Sequence, residues 1–262
     1  MSTDLLELAI SAARHAGNVI LCHYCRSDEI KIKGDGSPLT LADQAAHKAI
    51  TALLGDSGIP VVSEEGDDLL MGARRYWLVD PLDGTKDFIA ANGEFTVNIA
   101  LIVESQPVIG VVFAPALDEM YAGQSGSSSW CEKAGIRTDC HPVGKTAPCR
   151  MAVSRFHDHP DVDSFAAANG IGNKVAIGSA LKYGRLATAE IDVFPRLVGS
   201  SEWDTAAGQA VLEGAGGRVL DWHTGKALCY GKPMRRNPRL LSIRAPYNFT
   251  DFQLQYYESG IP

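Results

Sequence analysis

The chain has 262 residues, 45% hydrophobic and 21% charged, with a formal net charge of −7. That length suits one large domain or two that share an interface, and the composition is ordinary for a globular protein. The negative balance and the lack of a long basic stretch exclude broad nucleic-acid binding. No apolar run reads as a membrane span, and the acidic start at Asp4 and Glu7 does not read as a signal peptide, so the chain is expected in the cytoplasm.

Asp4-Leu5-Leu6-Glu7 has the form of a capping box. Behind it, Leu6, Ala9, Ile10, Ala13, Ala16 and Ile20 recur at helical spacing, which predicts a first helix to about Tyr24. Residues 30–38 read as extended and then turn-rich, with Gly34, Gly36 and Pro38. Thr40 opens a second helix, with Ala42, Ala46, Ile50 and Leu53 on one face and Gly55 as its stop. Asp43 falls in its first turn, where the helix dipole alone would favour an acid. Short strands follow at 59–62 and 76–79, then antiparallel ones at 95–103, 108–113 and 119–122, separated by Gln106-Pro107 and Pro115-Ala116. Residues 125–148 are Gly/Ser-rich and weakly periodic.

After about residue 150 the rhythm changes. Strands at 151–153, 175–177 and 191–194 alternate with helices at 162–168, 179–189 and 203–213. Such alternation predicts an α/β half with parallel pairing. The chain therefore reads as two subdomains, 1–145 and 146–262, with a site at their junction.

Six cysteines are present: Cys22, Cys25, Cys131, Cys140, Cys149 and Cys229. Cys22-x-x-Cys25 lies in a helical pattern with no second pair, so free thiols are expected rather than a zinc or redox site. His15, His23 and His47 fall on predicted helices and read as surface or packing residues.

The chemistry concentrates in Asp80-Pro-Leu-Asp-Gly-Thr85, which follows the apolar strand Tyr76-Trp-Leu-Val79. Ser63-Glu64-Glu65 precedes it and Trp203-Asp204 comes much later. Taken alone, Asp-Pro and Asp-Gly are common turn formers. Together, three acidic groups each follow or begin an apolar element, where sites in α/β proteins gather. Clustered carboxylates repel one another unless a cation holds them, and hard divalent ions such as magnesium take oxygen ligands. Glu64, Asp80, Asp83 and Asp204 are the natural ligands, and the Leu82 carbonyl can add a fifth. If a helix begins after Gly84, its N–H groups can face an anion. The combination reads as a magnesium phosphatase, with one ion to activate water and another to stabilise the leaving oxygen.

These three motifs, with Trp203-Asp204 continuing through Ala206 and Ala207 to Gly208, resemble the inositol monophosphatase superfamily over nearly the whole chain. The resemblance implies a layered α/β/α/β/α fold and a magnesium-dependent, lithium-sensitive phosphatase with two or three ions per site. It implies that Glu64, Asp80, the Leu82 carbonyl, Asp83 and Asp204 bind the metal. Asp43, Glu64 and Thr85 form the implied catalytic set, with Thr85 paired to Asp43 to orient the attacking water. A helix cap is the alternative role for the Thr85 hydroxyl. Glu64, Leu82, Asp83, Gly84, Thr85 and Asp204 are also implied to contact substrate.

Within the superfamily, Gly178-Ser-Ala-Leu-Lys182, Asp192-Val-Phe-Pro-Arg196 and the run from Asp80 to Asn98 resemble the bacterial 3′(2′),5′-bisphosphate nucleotidases. That branch implies Ser179, Lys182 and Arg196 as substrate residues. A second phosphate gives Lys182 and Arg196 a purpose, and arginine can grip phosphate bidentately. The plain alternatives are a solvated helix lysine and a surface arginine, while Phe194 reads as core. The implied reaction removes the 3′-phosphate of adenosine 3′,5′-bisphosphate to give AMP, with 3′-phosphoadenylyl sulfate of sulfate assimilation as a second substrate. Inositol monophosphatase is the nearest rival, a sugar bisphosphatase a weaker one, and a regulatory binding protein of the same fold the rival from another class. Some members of the branch attach peripherally to the inner membrane. No aromatic pair is evidently placed to stack on adenine.

Overall fold

The computed structural model describes residues 2–25, 31–32, 38–66, 72–156 and 160–254. Helix α1 (Ser2–His23) begins before Asp4, so Asp4 lies in its first turn rather than at its cap. Its apolar stripe, Leu6, Ala9, Ile10, Ala13, Ala16 and Ile20, is buried. Asp4–His23 does have the length and hydropathy of a membrane span, contrary to the sequence reading, but here α1 is a core helix packed on α2 (Leu41–Gly55). Between them, β1 (Lys31–Ile32) and β2 (Pro38–Leu39) pair antiparallel. Gly34 and Gly36 lie outside the described residues.

Next come β3 (Val61–Ser63), β4 (Arg75–Asp83), the short α3 (Thr85–Ile89), β5 (Thr96–Val103), β6 (Gln106–Ala114) and β7 (Glu119–Gln124). Two further strands, β8 (Ser128–Lys133) and β9 (Ile136–Cys140), occupy the stretch that the sequence left without regular structure. Four of the five residues of β9 are exposed, so this edge strand carries little apolar alternation to read. The seven strands form one sheet in sequential order, parallel at β3–β4 and antiparallel elsewhere.

The second half runs β10 (Arg150–Ser154), α4 (Pro160–Ala168), β11 (Asn173–Ile177), α5 (Leu181–Ala187), β12 (Val193–Arg196), β13 (Ser200–Ser201), α6 (Ala206–Gly214), β14 (Arg218–Asp221), β15 (Arg236–Asn237) and β16 (Leu240–Ile243). Its main sheet has the order β11-β10-β12-β16-β14. The expected parallel pairing holds for β10 with β11 and β12. It fails at β16, which runs antiparallel to both neighbours. No helix connects β14 to β16, and a parallel return needs a crossover, usually helical. Helices α5 and α6 begin later than the sequence patterns suggested, because the residues just before them form the site turns.

Side-chain alternation builds the layers. Met151, Val193, Leu241 and Ile243 pack with Val162 and Phe165 of α4, whereas Ala152, Phe194 and Leu240 pack with α5 and α6. Residues of β4, β5 and β6 likewise divide between α1–α2 and α5–α6. The result is an α/β/α/β/α sandwich. Gly208 permits the close approach of α5 and α6, since a Cβ there would lie 2.3 Å from the Tyr183 ring.

Candidate active site

A register shift creates the centre of the site. On β4, Asp80 pairs with Asn98 and Asp83 with Thr96, so one extra residue is accommodated around Pro81-Leu82. In a regular strand, residues three apart point to opposite faces. A bulge cancels that alternation and re-aims side chains. Both carboxylates therefore line one cavity. Proline fits here because a bulge spares it the ladder hydrogen bond it cannot donate. Gly84, at φ 86°, then turns the chain in a left-handed conformation into α3.

The cavity has a volume of about 280 Å³ and lies between the two halves of the chain. Of the residues singled out from sequence, Glu64, Asp80, Leu82, Asp83, Gly84, Thr85, Ser179, Lys182, Arg196 and Asp204 all line it. Asp43 does not. It is buried at the start of α2, where its Oδ2 accepts hydrogen bonds from the Thr40 N–H at 2.8 Å and the Thr40 hydroxyl at 2.6 Å. Thr85 is the first helical residue and Gly84 the cap, so the cap alternative for Thr85 is not realised. The Thr85 hydroxyl instead donates a long bond, 3.4 Å, to the Leu82 carbonyl.

Three carboxylates are each oriented by a backbone N–H. Leu82 donates to Asp80 Oδ1 at 3.1 Å, Ala180 to Asp83 Oδ2 at 2.6 Å, and Ser201 to Asp204 Oδ2 at 2.9 Å. Asn98 Nδ2 adds a 3.3 Å bond to Asp83. Burial raises the Asp80 carboxyl well above the usual range, and Glu64, Asp83 and Asp204 push it further. Burial also raises Asp83, against the pull of Lys182. Asp204 is pushed up to about 7 by burial and then by Asp83. Buried carboxylates gathered in one cavity raise one another in this way, and a cation among them favours their ionised forms.

Lys182 is buried rather than solvated, which overturns its plain reading. Its ammonium donates to the Ile177 carbonyl at 2.9 Å and lies 5.1 Å from the centre of the Phe194 ring. Burial lowers its pKa to about 8, while Asp83 opposes the fall. Arg196 donates to the Ser154 hydroxyl at 3.1 Å. Phe194 is core, as read, and also forms cavity wall.

An all-oxygen set of hard, mutually repelling donors fits magnesium. Among the described residues, however, no group of three or more acidic, histidine or cysteine side chains closes to metal-holding geometry. The structure gathers the carboxylates into one cavity without drawing them onto a single point. The six cysteines are free, as expected.

Sequence reasoning missed several supports. Arg155 binds Glu94 at 2.7 Å and faces Asp87 at 3.7 Å, framing the wall beside Gly178. Glu202, fully buried beside Asp204, accepts from the N–H groups of Gly231 and Lys232, from Lys232 Nζ at 2.8 Å and from Arg235 at 3.3 Å. Partners so distant in sequence leave no local signal. Asn98 could have been found, since it sits at the end of the quoted run.

Fold and site together define a phosphatase-like α/β sandwich with a carboxylate cavity between its halves. The chain matches the inositol monophosphatase family over residues 1–244 and belongs to it. It is 40% identical over 242 residues to the 3′(2′),5′-bisphosphate nucleotidase CysQ of Escherichia coli O157:H7, covering 90% of this chain and 95% of that protein. The CysQ protein of Salmonella typhimurium is 42% identical over 233 residues, covering 86% and 94%. Among solved structures, CysQ from Bacteroides thetaiotaomicron superposes with a TM-score of 0.81 at 35% identity, covering 92% of this chain and 97% of that one. An inositol monophosphatase from Thermotoga maritima, at 24% identity and a TM-score of 0.76 over 92% of each chain, shares the fold.

Proposed function

We propose that this protein is a magnesium-dependent 3′(2′),5′-bisphosphate nucleotidase that converts adenosine 3′,5′-bisphosphate to AMP and phosphate, with 3′-phosphoadenylyl sulfate as a second substrate. The observation that carries this reading is the meeting of two opposite charge sets in one cavity. Glu64, Asp80, Asp83 and Asp204 line it together with Lys182 and Arg196. A monophosphate with neutral hydroxyls has little use for the second set. The names of the CysQ relatives, at about 40% identity, point the same way.

In this reading Glu64, Asp80, the Leu82 carbonyl, Asp83 and Asp204 hold two or three magnesium ions. Bound there, magnesium would activate water and neutralise charge on the leaving oxygen. The backbone N–H bonds to Asp80, Asp83 and Asp204 orient those carboxylates in advance. Asp43 and Thr85 position the attacking water, and Gly84, Thr85 and Ser179 face the reacting phosphate. Lys182 and Arg196 counter the charge of the bisphosphate. The subdomain division at about residue 145 and a cytoplasmic location belong to the same reading, supported by the cavity between the two sheets and by the packing of α1 as a core helix.

A phosphate-release assay with magnesium tests it. Adenosine 3′,5′-bisphosphate should be hydrolysed with a far higher kcat/KM than inositol monophosphate. The reverse order would establish the inositol phosphatase alternative, and no turnover of either would favour a binding protein.

A further inference from the structure

Beside the carboxylates, Lys182 and Arg196, two exposed side chains of the cavity wall bear on the rest of the substrate. The first is Phe156, just beyond β10. It lines the cavity yet remains 42% exposed. It belongs to none of the three apolar cores, so its ring buries little within the fold. The backbone beside it is anchored, because Arg155 binds Glu94 at 2.7 Å and the Ala176 carbonyl at 3.0 Å.

The second is Arg236 on β15. Its neighbour Arg235 takes a left-handed backbone conformation at φ 47° and is buried against Glu202. Arg236 instead is exposed and lines the cavity. It pairs through β13 with Ser201, whose N–H holds Asp204. The backbone that carries this cation is thereby held beside the Asp204 turn. Its guanidinium forms no hydrogen bond or ion pair with the described residues. Arg155, also on the cavity wall, is engaged with Glu94, and Arg196 gives one bond to Ser154.

An aromatic face open to a cavity stacks on a nucleobase with little regard to which base it is. A free guanidinium suits a phosphate. A substrate with a second phosphate enters a cavity rich in carboxylates, where an uncommitted cation offsets the repulsion. We propose that Phe156 and Arg236 are further specificity-determining residues, the base of the nucleotide resting on Phe156 and Arg236 joining Lys182 and Arg196 in holding the phosphate that is not hydrolysed. This rests on the nucleotidase reading and extends it to the part of the substrate remote from the reaction.

Three probes separate the contributions: adenosine 3′,5′-bisphosphate, adenosine 3′-phosphate without the second phosphate, and ribose 3,5-bisphosphate without the base. Arg236→Ala should lower the ratio of kcat/KM for the adenosine bisphosphate to that for adenosine 3′-phosphate by about ten- to a hundredfold, mostly through KM. Phe156→Ala should lower the ratio of adenosine bisphosphate to ribose bisphosphate by about five- to a hundredfold, and Phe156→Tyr should restore it. Both side chains are exposed, so thermal melts should match the unmodified protein. Should either ratio stay within twofold of its unmodified value, that residue's role is overturned while the nucleotidase reading stands. If the unmodified protein prefers inositol monophosphate, the nucleotidase reading falls and this inference with it.

Discussion

Asp83 accepts a hydrogen bond from the Ala180 N–H at 2.6 Å, joining the bulged strand of the first sheet to the turn that starts α5. The bond spans 97 residues of sequence and ties the carboxylate cluster to the cavity wall supplied by the second half of the chain. In Asp83→Asn an amide oxygen can still accept that bond, but the charge is gone. We expect magnesium-dependent turnover to be abolished, with the metal-free fold as stable as before or more so. Phosphate release and thermal melts in EDTA check this. Near-normal activity would remove Asp83 from the metal set.

The metal-free protein should lose stability as pH rises. Asp204, at about 7, and the raised Asp80 and Asp83 hold protons in the folded state that the unfolded chain releases near pH 4. Where the folded state binds more protons, stability falls with increasing pH. The fall should span about pH 4 to 7 for Asp204, and magnesium should reduce it by stabilising the ionised forms. Melts from pH 5 to 8, with and without magnesium, read it. A pH-independent difference between the two conditions would contradict the assignment.

Thr85→Ala should reduce kcat with little change in KM if Thr85 and Asp43 orient the water, because that interaction matters in the transition state. A change in KM alone would make Thr85 a plain phosphate contact. Thr85→Ser, which keeps the hydroxyl, should recover most of the rate.

Arg196→Ala should weaken use of adenosine 3′,5′-bisphosphate about ten- to a hundredfold in kcat/KM, as expected for a charge-assisted hydrogen bond worth about 1.5–3 kcal/mol. A simple phosphate ester should suffer far less. Equal losses on both substrates would assign Arg196 to the structure, through Ser154, rather than to the substrate.

Glu202→Ala should destabilise the fold by about 3–5 kcal/mol, the usual consequence of removing one partner of a buried ion pair. Since Glu202 lies two residues before Asp204, the milder Glu202→Gln should raise the magnesium concentration needed for half-maximal activity. Unchanged melts in Glu202→Ala would show that the buried cluster contributes nothing to the turn.

The sequence by itself singled out the candidate metal-site residues and most of the elements. Helix α1 and the strands around Trp77 and Ile99 carry strong local periodicity, and Asp80-Pro-Leu-Asp-Gly-Thr85 is a contiguous run, so each is legible one residue after another. Only the tertiary structure decided how they meet. Asp80 and Asp83 share a face because β4 slips register against β5, which no local pattern announces. Sequence left Lys182 open between a substrate residue and a solvated helix lysine, and its burial depends on the Ile177 carbonyl and Phe194, which enclose it. The edge strand β9 was invisible because four of its five residues face water, and β16 turned antiparallel because no crossover helix precedes it. Periodicity reports what one element buries on its own account. Register, burial of charge and strand direction depend on partners supplied by distant parts of the chain, and these only folding brings together.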